Sequence, residues 1–225
     1  MKLRITLFAI TLTAGLFVLA QEKEKSFQIK AFSGINHFDV DEGSIEVRKN
    51  MNSHSILSSA SVSIVKGDRF IEFELDRFKI QHNENEAIPN SSGSLDGGDV
   101  KTREFRIRLS YNYLKSISSK INVAIGMGVS PYLLKENISP SNPLSFDRRH
   151  SSVGASLDLI PRFQFNMTKK VFFETHLVLS TVRLNRYETQ IENPAIPLRE
   201  QTETDSSVRY FGGDYQVRFG IGLTL

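Results

Sequence analysis

The chain has 225 residues, room for one all-β domain, and carries 28 basic against 25 acidic side chains. It has no cysteine, which excludes a disulfide framework, a thiol nucleophile, a cysteine-ligated zinc and a lipid-anchored leader. The near balance of charge is no nucleic-acid footprint, so no nucleic-acid partner is expected.

The chain opens Met1-Lys2-Leu3-Arg4, continues uncharged through 5–19 and reaches Ala20, with small side chains at Val18 and Ala20. A basic start, an apolar run and a small-residue end predict a secretory signal peptide over 1–20, cleaved after Ala20. The run of about 15 residues is short for a membrane helix. The charged Glu22-Lys23-Glu24-Lys25 follows it directly. The expected mature chain, 21–225, is then a single domain with 26 basic and 25 acidic residues, a charge of about +1. No second uncharged run approaches the roughly 20 residues a spanning helix needs, so any membrane crossing must be made by strands.

Period-two alternation predicts eight strands. The first covers 26–36, with Phe27, Ile29 and Ala31 in phase, and a polar loop over 37–55 follows it. The second, 56–65, has Ile56, Ala60, Val62 and Ile64 in phase. Lys66-Gly67-Asp68-Arg69 then reads as a tight hairpin turn. In the third, 70–81, Ile71, Phe73 and Leu75 alternate with Glu72, Glu74 and Asp76. The phase slips at Phe78 and Ile80, which marks a bulge. A loop over 82–99 contains Pro89 and several glycines.

The fourth strand, 100–114, sets Phe105, Ile107, Leu109, Tyr111 and Tyr113 against Glu104, Arg106, Arg108, Ser110 and Asn112. A short joint over 115–120 leads to the fifth, 121–134, with Ile121, Val123, Ile125, Met127 and Val129 in phase. A loop over 135–150 holds Pro140 and Pro143. The sixth strand, 151–166, alternates Val153, Ala155, Leu157, Leu159, Phe163 and Phe165 with Ser156, Asp158, Arg162 and Gln164, interrupted at Pro161. Thr168-Lys169-Lys170 is the third tight joint. The seventh strand, 171–190, sets Val171, Phe173, Leu177 and Leu179 opposite Glu174 and His176. A loop over 191–206 with Pro194 and Pro197 precedes the eighth, 207–225. Its last eleven residues place Tyr215, Val217, Phe219, Ile221, Leu223 and Leu225 on one face.

The joints alternate long and short, the grammar of bacterial outer-membrane barrels with long external loops and short periplasmic turns. The fold expected is an all-β, eight-stranded antiparallel up-and-down transmembrane barrel with a filled polar interior and both chain ends periplasmic. Strands longer than the 9–11 residues needed to cross should continue above the membrane. Tyr113, Phe165, Phe173 and Phe219 are expected near the periplasmic rim. Tyr132, Tyr187 and Tyr210 are expected near the outer rim.

On this pattern, across 21–225, the chain resembles the small outer-membrane β-barrels of Gram-negative bacteria, the OmpA/OmpX-type class, and especially those of Bacteroidetes. The resemblance implies an outer-membrane location among outer-membrane lipid and lipopolysaccharide. It also implies that the final strand is a signal for the barrel-assembly machinery, carried here by Tyr215, Phe219, Ile221, Leu223 and Leu225. Leu225 replaces the family's usual aromatic end.

The chemistry-bearing residues fall on the inward parity. Glu72, Glu74 and Asp76 lie beside Arg106 and Arg108 on the adjacent strand, within cross-strand reach. Glu104, Asp158, Arg162, Glu174, His176, Asp214 and Arg218 share that parity. A polar pathway or binding site is one reading. A plug of mutually satisfied ion pairs is the reading preferred, because unpaired buried charge is so costly. His37, His54, His82 and His150 are placed in or beside external loops, and no histidine pair has metal-ligand spacing, so neither metal nor cofactor is expected. His176 shares a face with Glu174, more simply a satisfied pair than a dyad.

Some barrels of the resembled class are lipid A deacylases with a His-x-Ser pair and a carboxylate. His150 and Ser152 match that triplet, without a third member at evident spacing. Gly126 and Gly128 read as strand glycines, and the acceptor triplets at Asn137 and Asn166 are idle in a bacterial protein. The leading function is non-enzymatic: adhesion, surface shielding or envelope integrity through external loops that meet an unidentified extracellular partner. A lipid A-modifying enzyme and a soluble lipocalin-like barrel, with an apolar interior and polar exterior, are the alternatives.

Overall fold

The computed structural model describes residues 25–37, 39–40, 49–50, 53–89, 95–142, 145–211 and 215–225. The expected leader and cleavage point, and Asp214, lie outside them. No described helix is long and apolar enough to cross a membrane. The described chain is strand, apart from turns and one short 3-10 turn at Leu198–Glu200.

The long strands are β1 (Lys25–His37), β4 (Ser53–Lys66), β5 (Arg69–Pro89), β6 (Leu95–Ser116), β7 (Ile121–Pro140), β8 (Arg148–Asn166) and β9 (Val171–Ile191). A small hairpin, β2 (Asp39–Val40) with β3 (Lys49–Asn50), follows β1. The eighth strand is two pieces, β10 (Thr202–Tyr210) and β11 (Tyr215–Thr224). All pairing is antiparallel, and the long strands pair in chain order. β11 returns to pair with β1, so eight strands close a ring. Closure leaves no sheet edge at that level, the condition for a sheet in hydrocarbon. The last residue still takes part, Leu225 N–H donating to the Phe27 carbonyl at 2.9 Å.

Alternation becomes burial strand by strand. On β7 the buried positions are Asn122, Ala124, Gly126, Gly128, Ser130, Tyr132 and Glu136, while Ile125, Met127 and Val129 are exposed. On β6, Leu109 is 56% exposed and Tyr111 52%, with Arg108, Ser110 and Asn112 buried between them. The apolar rows therefore look outward and the ionised rows inward. That inverts a lipocalin-like barrel and removes that alternative. A continuous exposed apolar band of this extent is what a lipid-facing surface looks like.

Two kinds of glycine shape the wall. Gly67 has φ +61 in the β4–β5 turn, the left-handed conformation that a two-residue hairpin requires. Gly126 and Gly222 leave room for lumen side chains. A Cβ at Gly222 would sit 2.1 Å from Phe172 Cζ, and one at Gly126 would sit 1.9 Å from Asn112 Oδ1.

Several expectations are corrected. The stretches 82–99, 135–150 and 191–206 were expected as loops. Much of each is strand, since β5 runs to Pro89, β6 starts at Leu95, β7 runs to Pro140, β8 starts at Arg148 and β10 starts at Thr202. These parts are mostly polar and carry no run of alternating apolar residues. His82 and His150 lie on strands accordingly. The slip after Leu75 is a register shift between Leu75 and Arg77. Pro161 does not end β8. It pairs with Ile125 of β7, and the ladder to β9 passes from Leu159 to Arg162 without it. Tyr132 does not join an outer girdle: its even position on β7 turns it into the lumen, 7% exposed. Tyr187 shares the inward parity of the buried Asn185, while Tyr210 is outward and 71% exposed.

Candidate functional site

Two places gather chemistry, the lumen and the sheet that rises from one side of the barrel. The lumen is filled by two ionic squares. Toward the short-turn end, Lys30 of β1 and Arg162 of β8 alternate with Glu72 of β5 and Glu174 of β9. Lys30 Nζ lies 2.7 Å from Glu72 and 2.9 Å from Glu174. Arg162 donates to Glu72 and Glu174 at 2.7 Å each. Ser63 donates to Glu72 at 2.9 Å, and His176 Nδ1 lies 3.2 Å from Glu174 Oε1.

The second square is Arg108 of β6 and Arg218 of β11 against Glu74 and Asp76 of β5. Arg108 donates to Glu74 at 2.8 Å and to Asp76 at 2.9 Å. Arg218 bonds both carboxylates and Ser59, and donates to Gln216 at 2.7 Å. Asp158 closes the remaining side, accepting from Arg108 Nε at 3.2 Å and from Ser180 at 3.0 Å.

Arg106 sits above, 4.0 Å from Asp76. Its guanidinium lies 5.0 Å from the Tyr132 ring centroid, and Arg183 stacks 4.9 Å from the same ring. Arg77 and Glu104 pair at 3.0 Å, partly buried. Below the squares, Lys30 lies over Phe70 at 4.7 Å and Arg162 over the same ring at 5.5 Å. Phe32 meets His176 edge-on at 4.7 Å.

The charges in this column cancel, with Lys30, Arg106, Arg108, Arg162 and Arg218 facing Glu72, Glu74, Asp76, Asp158 and Glu174. Buried ions are tolerable only when paired, and each of these faces an opposite charge within 4.0 Å, although Nε of Arg162 and Nε of Arg218 are buried without a hydrogen-bond partner. All eight barrel strands contribute a member once Ser59 and Ser63 of β4 and Ser130 of β7 are included. Such an arrangement cross-links the wall. No group of described residues could hold a metal ion.

Cross-strand reasoning reached Arg108 with Glu74 and Asp76. It missed Lys30 and Gln216, although the inward parity of both strands could have located them. It gave Glu72 to its neighbour on β6, whereas Glu72 meets Lys30 and Arg162 across the lumen. The hydrogen bonds of His150 and Ser152 run to other residues. His150 Nδ1 lies 3.0 Å from Thr189 Oγ1, and Ser152 donates to Asn185 at 2.8 Å. Both have inward parity on β8, away from the face that meets lipid. Glu136 stands opposite His150 in the β7–β8 register, but its carboxylate accepts from Thr102 at 3.3 Å.

Beyond the closed ring, β5 to β9 continue, and β10 adds to β9 through Thr202↔Gln190 to Tyr210↔Val182. The result is a six-stranded sheet in the order β5-β6-β7-β8-β9-β10. Among the described residues, β10 has no partner besides β9, and β5 has none besides β6 beyond Leu75. The β5 edge is blunted by Lys79, a register shift between Asn83 and Glu86, and Pro89. The β10 edge, Thr-Glu-Thr-Asp-Ser-Ser-Val-Arg-Tyr, has neither proline nor bulge.

No protein-family model matches the chain, and no curated relative matches it. Among solved structures, the major outer membrane protein of Thermus thermophilus is similar, with TM-score 0.52 and 11% identity over 89% of this chain and 99% of that one. Neisserial surface protein A matches at TM-score 0.38 and 12% identity, over 90% of this chain and 97% of its own. Ail, the attachment invasion locus protein of Yersinia pestis, matches at 0.39 and 11%, over 89% and 97%. The first likeness bears on the fold: the chain is built as a small barrel of the outer-membrane type.

Proposed function

We propose that the protein is an integral outer-membrane barrel, chain ends and short turns toward the periplasm, that performs no catalysis and acts in adhesion or surface contact. The barrel is the anchor, its lumen a structural plug, and the raised sheet the working part. The observation that carries this reading is the β10 edge, a nine-residue strand that pairs with β9 and, among the described residues, with no second strand. An edge of this kind recruits an extended segment by backbone pairing, with side chains on alternate positions supplying selectivity. Glu203 and Asp205 favour a neutral or basic segment there.

Successive β10 residues aim their N–H groups alternately at β9 and away from it. One of the variants Glu203→Pro and Thr204→Pro therefore removes an outward donor and spares the β9 ladder. Cells displaying the protein are compared with cells displaying each variant for attachment to animal-cell monolayers. The expected result is that one proline abolishes attachment at unchanged surface level. Attachment equal to wild type in both variants refutes the reading.

A further inference from the structure

The short-turn end of the barrel carries a ring of unpaired lysines. Lys66 lies in the β4–β5 hairpin, Lys115 and Lys120 flank the β6–β7 joint, and Lys169 and Lys170 lie in the β8–β9 joint; all five are exposed. Three of the four sectors of the rim are thus basic, and the fourth is where β1 and β11 bring the chain ends together. Asp68 is the only carboxylate side chain in those three joints, and its partner, at 3.6 Å, is Arg69. Among the described residues none of the five lysines has a carboxylate in reach. The lumen column, by contrast, sets each of its ten ions against an opposite charge.

The joints are too short to carry these charges far from the hydrocarbon. Lys66 and Lys115 occupy the next outward positions after Ile64 and Tyr113, so each backbone sits about 7 Å along the strand from the end of the apolar band. Ile117, 64% exposed, and Met167, 50% exposed, project from the same joints as apolar side chains. An apolar tip beside a lysine belongs at a lipid interface, where the stem lies on the acyl boundary and the ammonium reaches the headgroups. A polyanion free in the aqueous phase would leave Ile117 and Met167 unaccounted for.

We infer that the lysine ring at the short-turn rim binds the phosphates of anionic phospholipid headgroups, those of the periplasmic leaflet in the orientation proposed above. The ring selects anionic over zwitterionic neighbours around the barrel and fixes its depth. The attraction is electrostatic and exchangeable, so it is screened by salt.

The test is boundary-lipid selectivity, measured by electron spin resonance with spin-labelled phosphatidylglycerol and phosphatidylcholine around the full barrel in phosphatidylcholine vesicles. The unaltered protein is expected to favour phosphatidylglycerol about twofold at low salt, averaged over the annulus, and to lose that preference at high salt. A variant carrying Lys66→Gln, Lys115→Gln, Lys120→Gln, Lys169→Gln and Lys170→Gln is expected to lose most of it at low salt. A control carrying Arg103→Gln, Lys135→Gln and Arg186→Gln, exposed positions toward the opposite end, is expected to lose less. No preference in the unaltered protein, a preference indifferent to salt, or a preference that survives the five substitutions overturns the inference. Symmetric vesicles make this result independent of which way the barrel faces. Orientation is read separately by labelling Lys115→Cys in intact cells with an impermeant maleimide, in a chain that has no other cysteine.

Discussion

Replacing Arg162 by methionine tests whether the lumen column holds the barrel together. Arg162 donates to Glu72 and Glu174 at 2.7 Å each, and its side chain is 1% exposed. Methionine fills much of its volume but leaves two buried carboxylates to share Lys30, with Ser63 and His176 as their remaining neighbours. Losing one partner of a buried ionic cluster costs about 3–5 kcal/mol, and 4 kcal/mol is roughly a thousandfold in the unfolding equilibrium. Arg162→Lys keeps the charge but loses the planar two-nitrogen fork that gives each carboxylate its own donor, so a smaller loss is expected.

The double variant Arg162→Met with Glu174→Gln removes one stranded charge and should be more stable than the sum of the single losses by at least about 1 kcal/mol. The assay is urea unfolding of the barrel in vesicles, followed by tyrosine fluorescence and by the gel shift of the compact form, because the chain has no tryptophan. A loss below about 1 kcal/mol for Arg162→Met, or strict additivity in the double variant, refutes the reasoning.

Gly222→Ala places a Cβ 2.1 Å from Phe172 Cζ, and overpacking of this kind costs about 1–3 kcal/mol. Adding Phe172→Leu should recover part of that loss in the same unfolding assay. Gly67→Ala meets no atom within 4 Å, so its expected loss of about 1 kcal/mol comes from the φ of +61 alone, and no side-chain truncation should rescue it. The paired, charge-balanced lumen predicts no single-channel steps when the barrel is added to a planar bilayer; reproducible steps of one size from the unaltered protein would contradict the plug.

The fold was legible wherever one face of a strand meets lipid. The alternation of β6 and β7, the tight joints at 67–68, 117–120 and 167–170, and the slip after Leu75 all follow from side-chain parity and turn chemistry. Legibility failed beyond the barrel. Residues 95–103, 135–140 and 202–206 are mostly polar, with Leu95, Val100 and Ile138 the apolar exceptions, so composition reads as loop while backbone pairing makes strand. Inside the lumen, parity identifies who points inward but not who meets whom. Lys30 and Glu174 are separated by 144 residues and join across the tube, which only closure of the sheet brings about. Tyr132 lies near the rim level where an interface girdle is expected, but the outward parity of Ile125, Met127 and Val129 puts it inside.

Site-directed spin labelling addresses the outward and inward rows most directly. Single cysteines at Leu109, Ser110, Tyr111, Asn112, Met127, Val129 and Ser130, each labelled and reconstituted in vesicles, report access to oxygen from lipid and to a water-soluble nickel chelate. Labels at Leu109, Tyr111, Met127 and Val129 should be oxygen-accessible and chelate-protected, while those at Ser110, Asn112 and Ser130 should be shielded from both. Loss of the period-two contrast, or chelate reaching Leu109 and Met127 as freely as a surface turn, would contradict a closed barrel with lipid outside and paired ions within.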